Sequence, residues 1–261
     1  MRKPLCAAIG SLLLLAPMMA VPAIPTVIAS TRQRIQAMDE RATGHLVQVD
    51  ANGNRKSYKF ALKAHWFADG LRLLCEITSP ASARVRLLLH MDLDGRTTIQ
   101  VAHPDPAHPG AQIVGVLPFE RWTDGLLGTG FSYEDLAEGQ FFWQNQVLLQ
   151  PVKYGARDCF VIQSTPGPDD RTHYASVITY IDQQTNYPVH ISKKERSSGV
   201  LKEYIYYGLR QSSGVWSATQ IEVKAADRPG SSLLIIDRGS AKAKLGRKDF
   251  DLNLPSTPEE N

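Results

Sequence analysis

Apolar and polar residues alternate with a period of two along most of this chain. Between residues 58 and 66, Lys59 and Lys63 fall on one side of an extended backbone. The large apolar side chains of the same segment fall on the other side: Tyr58, Phe60, Leu62 and Trp66. The alternation recurs twice downstream, first in Leu71, Leu73, Cys75 and Ile77, then in Val85, Leu87, Leu89 and Met91. This pattern predicts β-strands with one buried face.

Short turns separate these predicted strands, as at Asn52-Gly53, Asp69-Gly70 and Pro229-Gly230. Strands joined by short turns run antiparallel, and a sheet of about ten such strands twists and curls. We therefore expect a mainly β (α+β) fold, with one large curved antiparallel sheet in a single domain over residues 30–261.

Two helices are predicted from the sequence. Ser30 can cap a helix over residues 31–43, in which Ile35, Met38 and Ala42 form a narrow apolar stripe. A second short helix is predicted over residues 133–138. Two small helices cover the apolar face of a large sheet only incompletely, so a concave apolar surface is expected.

The second helix begins in the most specific motif of the chain, which reads Gly128, Thr129, Gly130, Phe131, Ser132, Tyr133, Glu134, Asp135 and Leu136. Ser132 stands at an N-cap position, and Asp135, three residues later, can complete a capping box. Phe131 and Leu136 flank the box in the positions of a hydrophobic staple.

The motif resembles the G-S-D-F-S-Y-E-D-L segment of periplasmic outer-membrane lipoprotein-sorting proteins, the relatives of the carriers LolA and LolB. Here Thr129-Gly130 replaces the Ser-Asp of the family, whereas residues 131–136 match in full. Residues 158–162, 174–182 and 250–252 also resemble family segments, in the right order. The resemblance implies an unclosed β-barrel whose concave side is lidded by helices.

The first residues have the layout of a secretory signal peptide, in which a positive start precedes a long apolar run and then small residues. We expect residues 1–29 to contain the signal, with cleavage after Ala20, Ala23 or Ala29, and export to the periplasm. The formal net charge is +3, and removal of Arg2 and Lys3 leaves one positive charge. A nearly neutral protein lacks the concentrated basic face that nucleic-acid binding requires, and residues 193–196 are interpreted as a solvated strand edge or turn.

Cys75 and Cys159 remain after cleavage, in a compartment that oxidises thiols. They can form a disulfide, or each can be a small buried hydrophobic residue, as the phase of Cys75 with Leu73 and Ile77 indicates.

The sequence contains neither a G-x-S-x-G elbow nor an H-E-x-x-H motif, so no catalytic residue, cofactor or metal is predicted. A concave apolar cavity can instead bury acyl chains. The candidate lining residues are Tyr58, Phe60, Leu62, Trp66, Leu71, Leu73, Leu87, Leu89 and Phe131, although any one of these side chains is more often a core residue than a ligand contact. The leading hypothesis is a periplasmic carrier of lipoprotein acyl chains or free lipid, with an inner-membrane transporter or another envelope protein as a further partner. The alternative is a lipid- or protein-binding sensor of the same fold, followed by a lipid- or glycan-acting hydrolase.

Overall fold

The computed structural model describes residues 24–108, 111–212 and 214–253, and most of the predicted signal peptide lies outside them. One helix, α1, is Ile24–Gln36. The strands, in chain order, are β1 (Asp39–Val49), β2 (Arg55–Phe67), β3 (Gly70–Ser79), β4 (Val85–Met91), β5 (Thr97–Pro104), β6 (Gln112–Val116), β7 (Asn145–Tyr154), β8 (Arg157–Thr165), β9 (Tyr174–Asp182), β10 (Pro188–Glu195), β11 (Leu201–Tyr207), β12 (Arg210–Ser212), β13 (Val215–Ser217), β14 (Gln220–Ala225) and β15 (Ser231–Ser240). Short 3₁₀ turns are Ala81–Ala83, Phe119–Arg121, Leu126–Gly128, Tyr133–Leu136, Gly139–Phe141 and Arg247–Phe250. No helix among the described residues is long and apolar enough to cross a membrane.

Thirteen of the strands form one antiparallel sheet in the order β6-β5-β4-β3-β2-β1-β15-β14-β11-β10-β9-β8-β7. β12 and β13 pair separately as a small hairpin. Within the described residues the sheet does not close on itself, because β6 and β7 each have a strand neighbour on one side only. The predicted fold class, a large curved antiparallel sheet that forms an unclosed barrel, is confirmed.

A covering segment, residues 117–144, connects the two edges of this sheet by running from the end of β6 to the start of β7. Its buried side chains include Trp122, Leu126, Phe131 and Phe141, and all four belong to the main hydrophobic cluster. That cluster also takes residues from strands along the whole sheet, from β5 to β8. The sheet therefore curls around the covering segment, and the face that it turns toward this segment is called the inner face below.

The opposite, outer face carries a smaller apolar cluster that the sequence reading missed. Leu74 and Leu88 of the sheet pack there against Leu245, Phe250 and Leu252 of the C-terminal segment. The guanidinium of Arg86 donates hydrogen bonds to the carbonyl oxygens of residues 252 and 251, at 2.8 Å and 3.2 Å. The C-terminal segment thus seals the outer face at this end of the sheet.

The helix predicted over residues 31–43 is wrong in its position. α1 ends at Gln36, so Met38 and Ala42 lie beyond it, and Ala42 belongs to β1. β1 pairs with β2 on one side and β15 on the other, and these ladders outweigh a narrow helical stripe. Gly44 permits the close pairing, because a Cβ there would stand 1.9 Å from the carbonyl oxygen of Ile235. The second predicted helix is also shorter than expected, a 3₁₀ turn over Tyr133–Leu136.

The disulfide considered for Cys75 and Cys159 is not formed, since both are free and buried. Cys75 belongs to the inner-face cluster. Cys159 alternates along β8 with Phe160 and Ile162, which pack on the inner face, so it points to the outer face. β3 and β8 are also eight positions apart in the sheet, whereas a disulfide requires Cα atoms within about 7 Å.

Candidate functional site

The apolar side chains predicted to line a cavity all lie on the inner face. Seven are almost fully buried, namely Tyr58, Phe60, Leu71, Leu73, Leu87, Leu89 and Phe131, while Leu62 and Trp66 are half-buried against them. Other aromatic side chains of the protein pack against them. Trp66 stacks on Phe142 of the covering segment with ring centroids 5.8 Å apart, and Phe131 meets Tyr204 edge to face at 6.1 Å. The inner face is therefore a continuous apolar surface, and other side chains of the same chain pack on it.

Two cavities among the described residues border the covering segment, and both are small. Each has a volume of about 30 Å³. This volume is about that of one water molecule in the liquid, whereas small-molecule pockets occupy roughly 300–1,000 Å³. An acyl chain can reach the inner face only if the covering segment moves away from it.

The motif turn, residues 132–136, fixes the middle of the covering segment to the sheet. The backbone N–H and the hydroxyl of Ser132 both donate to Oδ2 of Asp135, at 2.8 Å and 2.7 Å, so the carboxylate reaches back to the N-cap as the capping pattern predicted. The other oxygen, Oδ1, accepts from Lys193 Nζ at 3.0 Å and from the Tyr174 hydroxyl at 2.6 Å. Four donors thus surround a carboxylate whose side chain is 1 % exposed.

Electrostatics keep this buried carboxylate ionised. Burial alone would raise the pKa of Asp135, but the charges of Lys193 and Lys202 and the hydrogen bond from Tyr174 outweigh it and hold the pKa well below its usual range. Burial, followed by the nearby Asp135 charge, raises the pKa of Tyr174 and Tyr204 well above the usual value, so both phenols stay neutral. A carboxylate with so low a pKa is a poor general base, and the arrangement is suited to attachment.

Glu134, the other acidic residue of the motif, makes a second attachment. It accepts hydrogen bonds from the Thr172 hydroxyl and from the backbone N–H of His173 at 3.2 Å and 3.3 Å. The ring Nδ1 of His173 lies 3.1 Å from the same carboxylate, and the ring stacks on Phe119 at 3.9 Å between centroids. The covering segment is therefore attached through two of its parts to the connection that precedes β9.

Further contacts attach the covering segment on both sides of the motif turn. Glu138 forms an ion pair with Arg34 of α1, and Arg32 Nε donates to the carbonyl oxygen of residue 141 at 2.7 Å. At Gly130, the backbone N–H donates to the Ser232 hydroxyl at 2.8 Å. A Cβ at position 130 would stand 2.9 Å from Val223, so glycine permits this close approach where the family motif has an acidic residue.

The interpretation of residues 193–196 as a solvated edge is wrong for Lys193. This side chain is 6 % exposed, and its ammonium lies over the rings of Tyr174 and Tyr204, at 5.0 Å and 4.9 Å from their centroids. Along β10, position 193 has the same phase as Ile191 of the inner-face cluster, whereas Lys194 points to solvent. That alternation is the signal in the sequence that would have identified Lys193.

Groups for covalent or metal chemistry do not assemble here. The described residues contain no group of three His, Cys, Asp or Glu side chains that could hold a metal ion. Burial, with a smaller effect from Glu76, raises the pKa of the Cys75 thiol to about 12, so this thiol is not a reactive nucleophile. The Ser132 hydroxyl is engaged by Asp135 and lies beside no histidine partner in the hydrogen bonds of the described residues. The described site has the features of an apolar surface under an attached cover.

Comparison with known proteins places the chain in a family. The model of a family described as "Uncharacterized protein" matches residues 117–254, more than half of the chain. The chain belongs to this family. The matched region starts with the covering segment and continues through β15. None of the curated proteins with which the sequence was compared matches it.

Solved structures establish the fold independently. A domain from Vibrio parahaemolyticus described as outer membrane lipoprotein-sorting is 19% identical, with a TM-score of 0.76 over 87% of this chain and 95% of that one. A protein from Desulfovibrio piger is 14% identical, with the same TM-score and the same coverage. A LolA superfamily protein from Nitrosomonas europaea is 18% identical, with a TM-score of 0.64 over 87% of this chain and 96% of that one. The LolA-like fold that the resemblance in the motif implied is therefore confirmed.

Proposed function

We propose that this protein is a periplasmic carrier that sequesters lipoprotein acyl chains or free lipid on the inner face of its sheet. The observation that carries the proposal is the inner face itself, a continuous apolar surface covered by a 3₁₀-rich segment instead of by further strands. The LolA-like fold and the predicted export signal support the same reading.

Binding in this proposal requires the covering segment to open. The segment is attached through polar contacts at separate points: Asp135 with Lys193, Glu134 with Thr172 and His173, and Glu138 with Arg34. Hydrogen bonds and ion pairs exchange with water when they separate, so their net cost is far smaller than their gross strength. An acyl chain that takes the place of the segment restores apolar contacts with the inner face. Its burial contributes about 0.8 kcal/mol of binding free energy per methylene.

Titration with fatty acids of increasing length tests this proposal. We expect the affinity to rise about fourfold per added methylene until the inner face is filled, because 0.8 kcal/mol corresponds to that factor. The ligand should be recovered chemically unchanged, and native mass spectrometry of protein from its own periplasm should show a discrete acyl mass. Affinity that is indifferent to chain length would exclude the carrier, and a cleaved ligand would favour the hydrolase.

A second candidate function is recognition of a protein partner, as expected of a sensor, and strand β6 favours it. Ile113, Val114 and Val116 are exposed on this edge strand, which bears no charged residue and, in the part of the chain that the structure describes, pairs only with β5. The other edge, β7, is interrupted by a bulge between Leu149 and Val152. An uncharged, regular edge can accept a further strand from a partner. Retention of partners on immobilised protein, with and without bound lipid, distinguishes the two candidates.

A further inference from the structure

One of the two small cavities has a polar wall that a purely apolar carrier does not need. It lies where the covering segment meets β5, β9 and β10, and Trp122 and Trp143 form its apolar side. Both tryptophans belong to the inner-face cluster, so the cavity is continuous with the apolar surface. Its polar side includes Glu134, Gln140, Arg171 and Lys193.

The carboxylate and one cation of this wall are already engaged within the protein. The Glu134 carboxylate accepts from the Thr172 hydroxyl and from the backbone and ring of His173. Lys193 donates to Asp135, which lies behind the wall. These groups therefore neither need a ligand nor leave an exposed negative site free to bind a cation.

Two donors of the wall remain available. Arg171 is exposed, and its guanidinium lies 4.6 Å from the ring centroid of Phe119 and 5.4 Å from that of Trp122. Among the ion pairs of the described residues, none involves Arg171. Gln140 is 3 % exposed, and its amide nitrogen is buried without a hydrogen-bond partner among the described residues. A buried donor without an acceptor is costly, so this position favours an oxygen atom from a ligand or water.

We propose that this cavity seats the anionic head group of an amphiphile, a carboxylate or a phosphate, with one oxygen beside Gln140 and the remaining charge at Arg171. The inference rests on the proposed carrier function and specifies its ligand class. The volume of about 30 Å³ admits one such oxygen, while the rest of the head group stays at the mouth, where the planar guanidinium can donate two parallel hydrogen bonds. The hydrocarbon chain then leaves along the two tryptophans toward the inner face, as residues 123–133 of the covering segment open and the residues that line the cavity stay in place.

Intrinsic fluorescence provides the readout, because Trp122 and Trp143 line the cavity. The full mature protein is titrated with dodecyl phosphate, dodecanoate, the uncharged dodecyl maltoside and inorganic phosphate, with the detergents below their micelle concentrations. The test variant is Arg171→Gln. The matched control is Arg121→Gln, which removes another exposed arginine. Arg121 belongs to the covering segment, pairs with Asp124 and does not line the cavity.

We expect Arg171→Gln to weaken the binding of both anionic amphiphiles by about tenfold or more, the size of a charge-assisted hydrogen bond. The binding of dodecyl maltoside should be nearly unchanged in this variant, and Arg121→Gln should bind every ligand like the parent. Gln140→Leu, which removes the buried donor at similar volume, should also weaken the anionic amphiphiles alone.

The other outcomes separate this inference from the carrier function. Equal affinity for anionic and uncharged amphiphiles, unaffected by Arg171→Gln, would overturn the head-group site and leave the carrier intact. If inorganic phosphate binds as tightly as dodecyl phosphate and its binding depends on Arg171, the site binds a free anion. That result would overturn the assignment of an amphiphile as the ligand. If neither amphiphiles nor phosphate bind, both the head-group site and the carrier are refuted.

Discussion

The carboxylate of Asp135 and the ammonium of Lys193 lie 3.0 Å apart, in a place where both side chains are almost completely buried. The first belongs to the covering segment and the second to β10, which is central to one arm of the sheet. The pair therefore connects the covering segment to the sheet whose inner face the segment covers. Its removal is the most direct way to test how the cover is held.

Asp135→Asn should lower the free energy of unfolding by about 3–5 kcal/mol, because it leaves the Lys193 charge buried without its counter-ion. Chemical denaturation followed by circular dichroism measures the change. Asp135→Asn combined with Lys193→Met should be less destabilised than the sum of the two single variants, since the two side chains are in contact. Asp158→Asn, in the exposed pair with Lys153, is the control and should change stability by less than about 1 kcal/mol. A loss at Asp135 as small as that of the control would contradict the attachment role.

The acid stability of the fold should depend on Asp135. Its pKa in the folded protein lies well below that of an unfolded aspartate, about 3.9, mainly because the Lys193 and Lys202 charges overcome the effect of burial. The contribution to stability is therefore fully present above about pH 4–5 and is lost as the pH falls toward the lower folded-state pKa. Denaturation midpoints measured from pH 7 to pH 2.5 should fall more steeply for the parent than for Asp135→Asn. Parallel curves for the two proteins would show that Asp135 is not the titrating group.

The sheet and its inner face could be predicted from the sequence because period-two alternation reports burial directly. The run from Tyr58 to Trp66 is one example, since its four large apolar side chains all reach the inner-face cluster. The pattern failed at β1, where Ile35, Met38 and Ala42 also fit a helical stripe. The pairing of β1 with β2 and with distant β15 resolves that ambiguity, and the long-range pairing with β15 is not visible in a local pattern.

The attachments of the covering segment were harder to predict. The capping role of Asp135 follows from local spacing, but its pairing with Lys193 joins residues 58 positions apart. A lysine in a charged run is normally solvated. The competing signal is that Lys193 lies on the same side of the strand as Ile191, and this signal rests on a single position. Likewise, alternation showed which side chains are buried on the inner face and could not show that the covering segment fills it.

Cleavage of the signal peptide should occur after Ala20 or Ala23 and not after Ala29. Val27 and Ile28 of α1 are 3 % and 7 % exposed and belong to the inner-face cluster. A cut after Ala29 would remove two apolar side chains, each of which contributes roughly 1.5–3 kcal/mol when fully buried. The intact mass of the exported protein distinguishes the three sites. A mature chain that begins at Ser30 would show that the first turns of α1 are dispensable.

Phe131→Ala should destabilise the fold by about 3–5 kcal/mol, because Phe131 is 6 % exposed within the cluster and its truncation leaves a cavity. Dodecanoate should also be retained less well, since the covering segment then closes less tightly over the inner face. Phe131→Leu is the matched control and should recover most of both losses. If Phe131→Ala melts like the parent and retains the same ligand equally well, Phe131 has no role in holding the cover.

Val116→Lys should suppress strand-edge association without altering the fold. Val116 is 64 % exposed on β6, the uncharged edge of the sheet, so a lysine there meets water in the monomer and is opposed only when another strand pairs with that edge. Sedimentation velocity over a range of concentrations, and retention of envelope proteins on immobilised protein, should both show weaker association. The free energy of unfolding should change by no more than about 0.5 kcal/mol.

Val147→Lys is the matched control, because Val147 is 56 % exposed on β7, whose bulge and Pro151 already interrupt pairing. Equal effects of the two lysines would indicate a general effect of charge, and association that persists in Val116→Lys would exclude β6 as the docking edge.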